Sequence, residues 1–126
     1  MTEVMLCDPG TVSESWYETR QCPNIGLAYI GTYLNQQGFD VKIIDMPTYN
    51  VKSEDLLNNY SPDVAGLTAA SFNILRAYKA LRAIIAEDPY VFTVLGGAHA
   101  TALPQQCLHE CQELDAVVAG EGEYAM

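Results

Sequence analysis

The sequence predicts an α/β domain with a five-stranded parallel sheet, and three observations support that prediction. Segments with the period of a strand alternate five times with segments of helical period, which gives a parallel sheet with helices on both faces. The 126 residues are the length of a single domain, spanning 1–126. Hydrophobic residues make up 49% of the chain and charged residues only 17%, as expected for a globular protein with a substantial core.

Charge and cysteine content exclude several classes of partner. The formal net charge of −10 argues against a nucleic-acid partner, because phosphate binding needs lysine and arginine. No apolar run approaches the roughly 20 residues that span a bilayer, and no leader of basic then apolar residues opens the chain. We therefore expect a cytoplasmic protein with no membrane partner. The four cysteines are scattered, which predicts no disulfide framework.

Local signals delimit each predicted element. Residues 8–10, Asp-Pro-Gly, stop the first strand; Gly38 ends the first helix; Pro104 suits the first turn of a later helix. Ser53 suits the N-cap of a short helix. In order, we predict a strand at 4–7, a loop at 11–24, a helix at 25–37, a strand at 39–45, a short helix at 53–60, a strand at 63–68, a long helix after 71, a strand at 90–95, a helix at 104–113 and a strand at 116–119.

The long helix has the clearest amphipathic pattern. Its basic residues Arg76, Lys79 and Arg82 are expected to form a solvated face rather than a docking patch. The predicted apolar stripe consists of Ile74, Leu75, Tyr78, Leu81 and Ile85.

Small residues follow three of the predicted strands. They lie at 68–71, at 96–101 and at 120–122. A small domain of this kind commonly takes the flavodoxin-like, or Rossmann-like, strand order 2-1-3-4-5, and its ligands bind outside the carboxyl ends of the strands. The Gly96-Gly97 pair removes two Cβ atoms, so the backbone there can turn sharply and approach a ligand. The sequence therefore predicts a carboxyl edge with room for a broad, flat ligand.

Several kinds of active site do not fit the sequence. Neither a P-loop nor a Gly-x-Gly-x-x-Gly fingerprint is present. A phospho-acceptor receiver would need an aspartate at the end of strand three and a lysine after strand five, but strand three ends in Leu67-Thr68 and no lysine follows Lys79. A nucleophilic pair of Cys7 and His99 is conceivable, but a small buried cysteine is the commoner case. Cys107 and Cys111 have no third metal ligand at zinc or iron–sulfur spacing. We predict a binding module.

Six motifs, spread over essentially the whole chain, resemble a known family. They are Pro23-Asn-Ile-Gly-Leu27, Val41-Lys-Ile-Ile-Asp45, Pro62-Asp-Val-Ala-Gly-Leu-Thr68, Gly96-Gly-Ala-His-Ala-Thr101, Leu103-Pro104 and Asp115-Ala-Val-Val-Ala-Gly-Glu-Gly-Glu123. Together they resemble the cobalamin-binding domain of B12-dependent radical SAM proteins, which include methyltransferases and anaerobic magnesium-protoporphyrin IX monomethyl ester cyclases. The resemblance implies that cobalamin lies on the carboxyl edge of the sheet. The implied cofactor-binding residues are Asp8, Pro9, Thr68, Ala69, Ala70, Ser71, Gly96, Gly97, Ala98, His99, Ala100, Thr101, Gly120 and Glu121.

The sequence departs from the pattern of many cobalamin proteins at one place. These carry Asp-x-His-x-x-Gly after strand one, and the histidine ligates cobalt; here Asp8 is followed by Pro-Gly-Thr-Val-Ser. The resemblance therefore implies base-off cobalamin without a protein histidine on cobalt. His99 is the other candidate ligand near the edge, and the alternative is a histidine that hydrogen-bonds locally or contacts the nucleotide tail.

The resemblance also implies a second domain. The family's Cys-x-x-x-Cys-x-x-Cys motif is absent from this chain, so a [4Fe-4S] cluster and S-adenosylmethionine would belong to a downstream radical SAM domain. The chain stops at 120–126, where the sequence predicts the start of a new helix. We therefore expect a piece of a longer protein whose catalysis needs that domain.

Two other classes stay open from the sequence. One is a flavodoxin-like regulatory or interaction module without a cofactor, and the other is a flavin- or nucleotide-binding domain. The double substitution Gly96→Val and Gly97→Val should abolish corrin binding while the fold survives.

Overall fold

The computed structural model describes residues 2–9, 25–45, 56–57, 61–69 and 74–120. Five strands form one parallel sheet in the order β2-β1-β3-β4-β5, as the sequence predicted. The strands are β1 (Glu3–Asp8), β2 (Asp40–Asp45), β3 (Val64–Thr68), β4 (Phe92–Gly96) and β5 (Ala116–Val117). The helices are α1 (Ile25–Gln36), α2 (Ile74–Glu87), α3 (Ala98–Ala102) and α4 (Pro104–Glu110).

Helices cover both faces of the sheet. The alternation of side chains along β1 sends Val4 and Leu6 to one face, where they pack with Leu27 and Leu34 of α1. Met5 and Cys7 point to the opposite face and join the larger core. That core contains six buried residues of α2, one cysteine of α4 and the cysteine directly after α4: Ile74, Ala77, Tyr78, Ala80, Leu81, Ile84, Cys107 and Cys111.

Several details of the elements differ from the sequence-based predictions. Leu75, predicted in the apolar stripe of α2, is 73% exposed, while the small Ala77 and Ala80 are buried. The segment after Gly97, for which no helix was predicted, forms α3. The predicted helix at 104–113 ends at Glu110.

Other predictions fall outside the described residues. These are the loop at 11–24 and most of the short helix at 53–60, of which the structure describes only Leu56 and Leu57, in a turn. Within the part of the chain that the structure describes, no helix has the length and apolar character needed to cross a membrane.

Candidate functional site at the carboxyl edge of the sheet

The parallel register brings the ends of three strands together. Cys7 of β1 is paired with Leu67 of β3, so Asp8 and Thr68 follow at the same level. Thr68 is in turn paired with Gly96 of β4. Residues far apart in the sequence therefore form one edge, as expected for an open parallel sheet.

A close backbone contact joins the segments after β3 and β4. The amide of Ala69 donates to the carbonyl of Gly96 at 3.2 Å, and the amide of His99 donates to the carbonyl of Ala69 at 3.3 Å. Gly97 lies within this contact. A Cβ atom on Gly97 would be 2.6 Å from Thr68 Oγ1 and 2.7 Å from the Ala69 carbonyl oxygen. Only glycine fits there, because the neighbouring backbone fills the place of a side chain.

The neighbouring Gly96, in contrast, has open space where a side chain would lie. A Cβ atom on Gly96 would meet nothing nearer than the carbonyl oxygen of Val118, at 3.9 Å. Gly97 also has φ 98° and ψ −173°, a conformation that is essentially restricted to glycine. The prediction that a double valine substitution spares the fold is therefore wrong for Gly97, where any side chain would overlap the backbone of Ala69 and strain its own backbone. Gly96 can accept a side chain without a clash in the protein itself.

Helix α3 faces the core with one side and the edge with the other. Its His99 is only 8% exposed, and Ala100 is fully buried among core residues, while Ala98 and Thr101 are exposed. The Thr101 hydroxyl oxygen accepts a hydrogen bond from the amide of Gly120 at 3.1 Å. This bond attaches the segment after β5 to α3, so the edge extends across all of the strands from β1 to β5.

A hydrogen bond from Arg76 of α2 connects this helix to the end of β1, although the sequence predicted that Arg76 faces solvent. Arg76 is half-buried, and its Nε donates to the carbonyl oxygen of Pro9 at 3.2 Å. The prediction of a solvated face holds for Lys79 and Arg82, which are exposed, but it is wrong for Arg76. Its position in the basic pattern of the helix gave no signal of this contact.

The structure describes most of the predicted site residues. Asp8, Pro9, Thr68 and Ala69 lie at the same edge as the run from Gly96 to Thr101, together with Gly120. Ala70, Ser71 and Glu121 lie outside the described residues.

The cysteines that the structure describes, Cys7, Cys107 and Cys111, are all buried. Cys7 is fully buried, so a nucleophilic pair with His99 would have no access to a substrate. Among the described residues, no group of three or more histidine, cysteine or acidic side chains is placed to hold a metal ion. Cys107 and Cys111 are buried free thiols in the core.

Comparison with known proteins agrees with this fold. Residues 19–126 match the family described as the B12 binding domain. An uncharacterized methyltransferase of Pyrococcus horikoshii is 36% identical over 104 residues, which cover 80% of this chain and 22% of that protein. The anaerobic magnesium-protoporphyrin IX monomethyl ester cyclase of Rubrivivax gelatinosus is 34% identical over 108 residues, covering 82% of this chain and 20% of the cyclase. The chain thus spans about a fifth of the length of these relatives.

A solved structure has the same fold. The cobalamin-dependent S-adenosylmethionine radical enzyme OxsB, determined with aqua-cobalamin bound, superposes with a TM-score of 0.76 over 98% of this chain and 18% of that enzyme. The sequence identity is 22%, so this likeness concerns the fold.

Proposed function

Because this chain belongs to the B12-binding domain family, we propose that it holds cobalamin on the carboxyl edge of its sheet, within a B12-dependent radical SAM enzyme. The observation that carries the placement is the pair of unlike glycines after β4. Gly97 lets the backbone after β4 contact that after β3, and Gly96 leaves space above the strand end. Cobalamin itself would supply the organometallic chemistry, and the domain would bind and orient it.

The edge residues suit a large, flat and largely uncharged ring. Thr68, Ala69, Gly96 and Ala98 have small side chains or none, so the backbone itself forms much of the surface. Backbone amides and carbonyls can hydrogen-bond the amide groups at the rim of a corrin. Gly96 offers room that a side chain would otherwise fill, which supports close approach of the ring.

We propose that cobalamin is bound base-off and without a protein histidine on cobalt. The chain has two histidines. The burial of His99, which is 8% exposed, supports a packing role for this side chain rather than a place on cobalt. His109 is exposed near the end of α4, away from the edge at which that helix begins.

The reaction of the whole enzyme is a proposal drawn from its relatives. The Pyrococcus protein is named as a methyltransferase and the Rubrivivax protein as a cyclase. We propose methyl transfer or tetrapyrrole ring cyclisation, with S-adenosylmethionine and a [4Fe-4S] cluster bound by a downstream radical SAM domain. In either reaction this domain would hold one corrin face towards that catalytic domain.

A visible absorption spectrum tests the cofactor and its ligation together. The intact protein is incubated with hydroxocobalamin, desalted and measured. Retained corrin bands of the base-off type are expected. Retained corrin with a histidine-ligated spectrum would contradict the proposal that no protein histidine binds cobalt, and it would favour His99 as the ligand. If no corrin is retained, the proposal that this protein binds cobalamin is refuted. Parallel incubations with a flavin and with a nucleotide would then show whether the protein binds one of these ligands or is a module without a cofactor.

The Gly96→Val variant tests where the cofactor lies. We expect cobalamin to bind at least about tenfold more weakly to this variant. The valine side chain would occupy the space in which we place the corrin ring, and such overpacking costs about 1–3 kcal/mol. The fold should persist, because nothing lies nearer than 3.9 Å to the new Cβ.

The matched control is Ala86→Val, at an exposed position near the end of α2, on the opposite edge of the sheet. Affinity measured by spectral titration should be unchanged in the control. Full affinity in a folded Gly96→Val protein would show that cobalamin binds elsewhere.

A further inference from the structure

Arg76 makes a contact between two segments that are distant in the sequence. It lies in the first turn of α2, and its Nε donates to the Pro9 carbonyl oxygen at 3.2 Å, across 67 positions of the chain. Arg76 as a whole is half-buried. A contact of this kind is more than a solvated charge on a helix face, because it connects the start of α2 to the end of β1.

Both partners of this hydrogen bond lie at the edge proposed to hold the cofactor. Pro9 directly follows β1, whose last residue is Asp8. Helix α2 begins at Ile74, after the chain has left β3 at Thr68. Since β1 and β3 are neighbours in the sheet, the bond spans the boundary between their carboxyl ends. It therefore fixes one part of the edge relative to the next.

The chemistry of Pro9 makes its carbonyl the point of attachment. Proline has no N–H, so its carbonyl is the single backbone group with which it can hydrogen-bond. The Pro9 side chain is almost fully buried, which holds the residue close to the core. Arg76 adds the directional restraint that burial alone does not give, because a hydrogen bond fixes the orientation of the carbonyl.

Arginine suits this task better than lysine. Its guanidinium is planar and permanently charged, and it presents donors in a fixed geometry, whereas a lysine ammonium ends a flexible stem. Hydrogen bonds from a charged donor are about twice as strong as neutral ones.

We propose that Arg76 is a positioning residue for cobalamin. By holding the Pro9 carbonyl, it fixes the backbone after β1, where many cobalamin proteins place a histidine ligand and this chain has none. The surroundings of the corrin then depend on a side chain of α2. This inference rests on the proposed function.

The test compares three variants of the intact protein. Arg76→Met keeps the apolar stem and removes the donors; Arg76→Lys keeps the charge; Lys79→Met removes the same charge from an exposed position in the next turn. With hydroxocobalamin as the probe, we expect Arg76→Met to bind about tenfold more weakly, as for the loss of a charged hydrogen bond. We also expect shifted corrin bands, with intermediate behaviour in Arg76→Lys and wild-type behaviour in Lys79→Met.

A cofactor-free measurement separates this inference from the proposed function. Amide hydrogen exchange around Asp8, without cobalamin, should be faster in Arg76→Met than in the wild type and unchanged in Lys79→Met. If the wild-type protein retains no cobalamin, both proposals fail. If the wild type binds and Arg76→Met matches it in affinity and spectrum, the role of Arg76 alone is refuted. An equal loss in Lys79→Met would also refute it, because charge would then be the cause. Should Arg76→Met not fold, Arg76→Lys carries the same comparison.

Discussion

At the scale of single residues, the adjacent glycines after β4 meet different physical demands. Gly97 is required by the protein itself, since a Cβ atom there would overlap the backbone of Ala69. Gly96 is not required in this way. A glycine that the fold does not need, beside one that it does, is the residue-level feature that favours a ligand at this edge.

Alanine substitutions at two glycines should separate backbone strain from steric overlap. Gly97 and Gly120 both have positive φ, 98° and 90°, but nothing lies within 4 Å of a Cβ on Gly120. We expect Gly120→Ala to lower the free energy of unfolding by about 1–2 kcal/mol, from strain alone. Gly97→Ala should cost about 3 kcal/mol or more, since overlap adds to the strain. Urea denaturation measures the free energy of unfolding of both variants. An equal loss of stability in Gly97→Ala and Gly120→Ala would contradict the steric overlap at Gly97.

At the scale of elements, one threonine of β4 adds several hydrogen bonds to the pairing that holds the short strand β5. Thr93 of β4 is fully buried, and its hydroxyl donates to the Glu113 carbonyl oxygen at 2.7 Å and accepts from the Asp115 amide at 2.9 Å. The Thr93 amide donates to Asp115 Oδ2 at 2.9 Å. These bonds fix the entry to β5, which has only two residues. They thereby help to place the segment that continues to Gly120.

Replacing Thr93 by valine should therefore loosen β5. Valine has almost the same shape as threonine, so the change in stability reports the contribution of the hydroxyl alone. The Glu113 carbonyl and the Asp115 amide each lose their hydrogen bond to that hydroxyl. We expect the free energy of unfolding to fall by about 1–3 kcal/mol. Thermal or urea denaturation measures it, with Thr32→Val, at an exposed position of α1, as the matched control. A loss no larger than that of the control would mean that the hydroxyl contributes nothing to the attachment.

At the scale of the whole molecule, the larger core contains ionisable groups that stay neutral. Burial raises the pKa of the Tyr78 phenol well above its ordinary range, and the neighbouring Cys107 raises it further. Burial also raises the pKa of the Cys111 thiol above its ordinary 9.0, with the charge of Glu113 as the next cause. The folded state thus holds protons that the unfolded chain would release in alkali.

Stability should consequently fall as the pH rises. Below about pH 8 both states keep these protons. Above it the unfolded chain releases them first, from the thiol as the pH passes its ordinary pKa of 9.0 and from the phenol as it passes 10.0, so alkali favours unfolding. Tyr78→Phe should cost little at pH 7 and should lessen the loss of stability above pH 10. Urea denaturation at pH 7, 9 and 10.5 measures the effect, and Tyr90→Phe, at a residue that is 93% exposed, is the control. Parallel curves for Tyr78→Phe and the wild type would contradict this linkage.

Local signals were sufficient for most of the fold. The apolar runs, helical periods and punctuating Gly and Pro residues predicted all five strands, and the alternation predicted a parallel sheet. The strand order was predicted as the one that small domains of this kind commonly take. The errors have local causes. Leu75 was placed in the stripe of α2 because it is apolar, whereas the buried Ala77 and Ala80 carry too weak a signal. The five residues of α3 are too few to show a helical period.

By itself, the sequence determined the α/β architecture, the edge at which the small residues gather and the resemblance to cobalamin-binding domains, which the family match confirms. These depend on periodicity and residue type, which are local properties of the chain. Only the tertiary structure decided that Gly97 serves the fold while Gly96 leaves room, that His99 packs inward, and that Arg76 holds Pro9. Each of these depends on which distant backbone lies opposite a residue, and that is fixed by packing rather than by the residue and its neighbours in sequence.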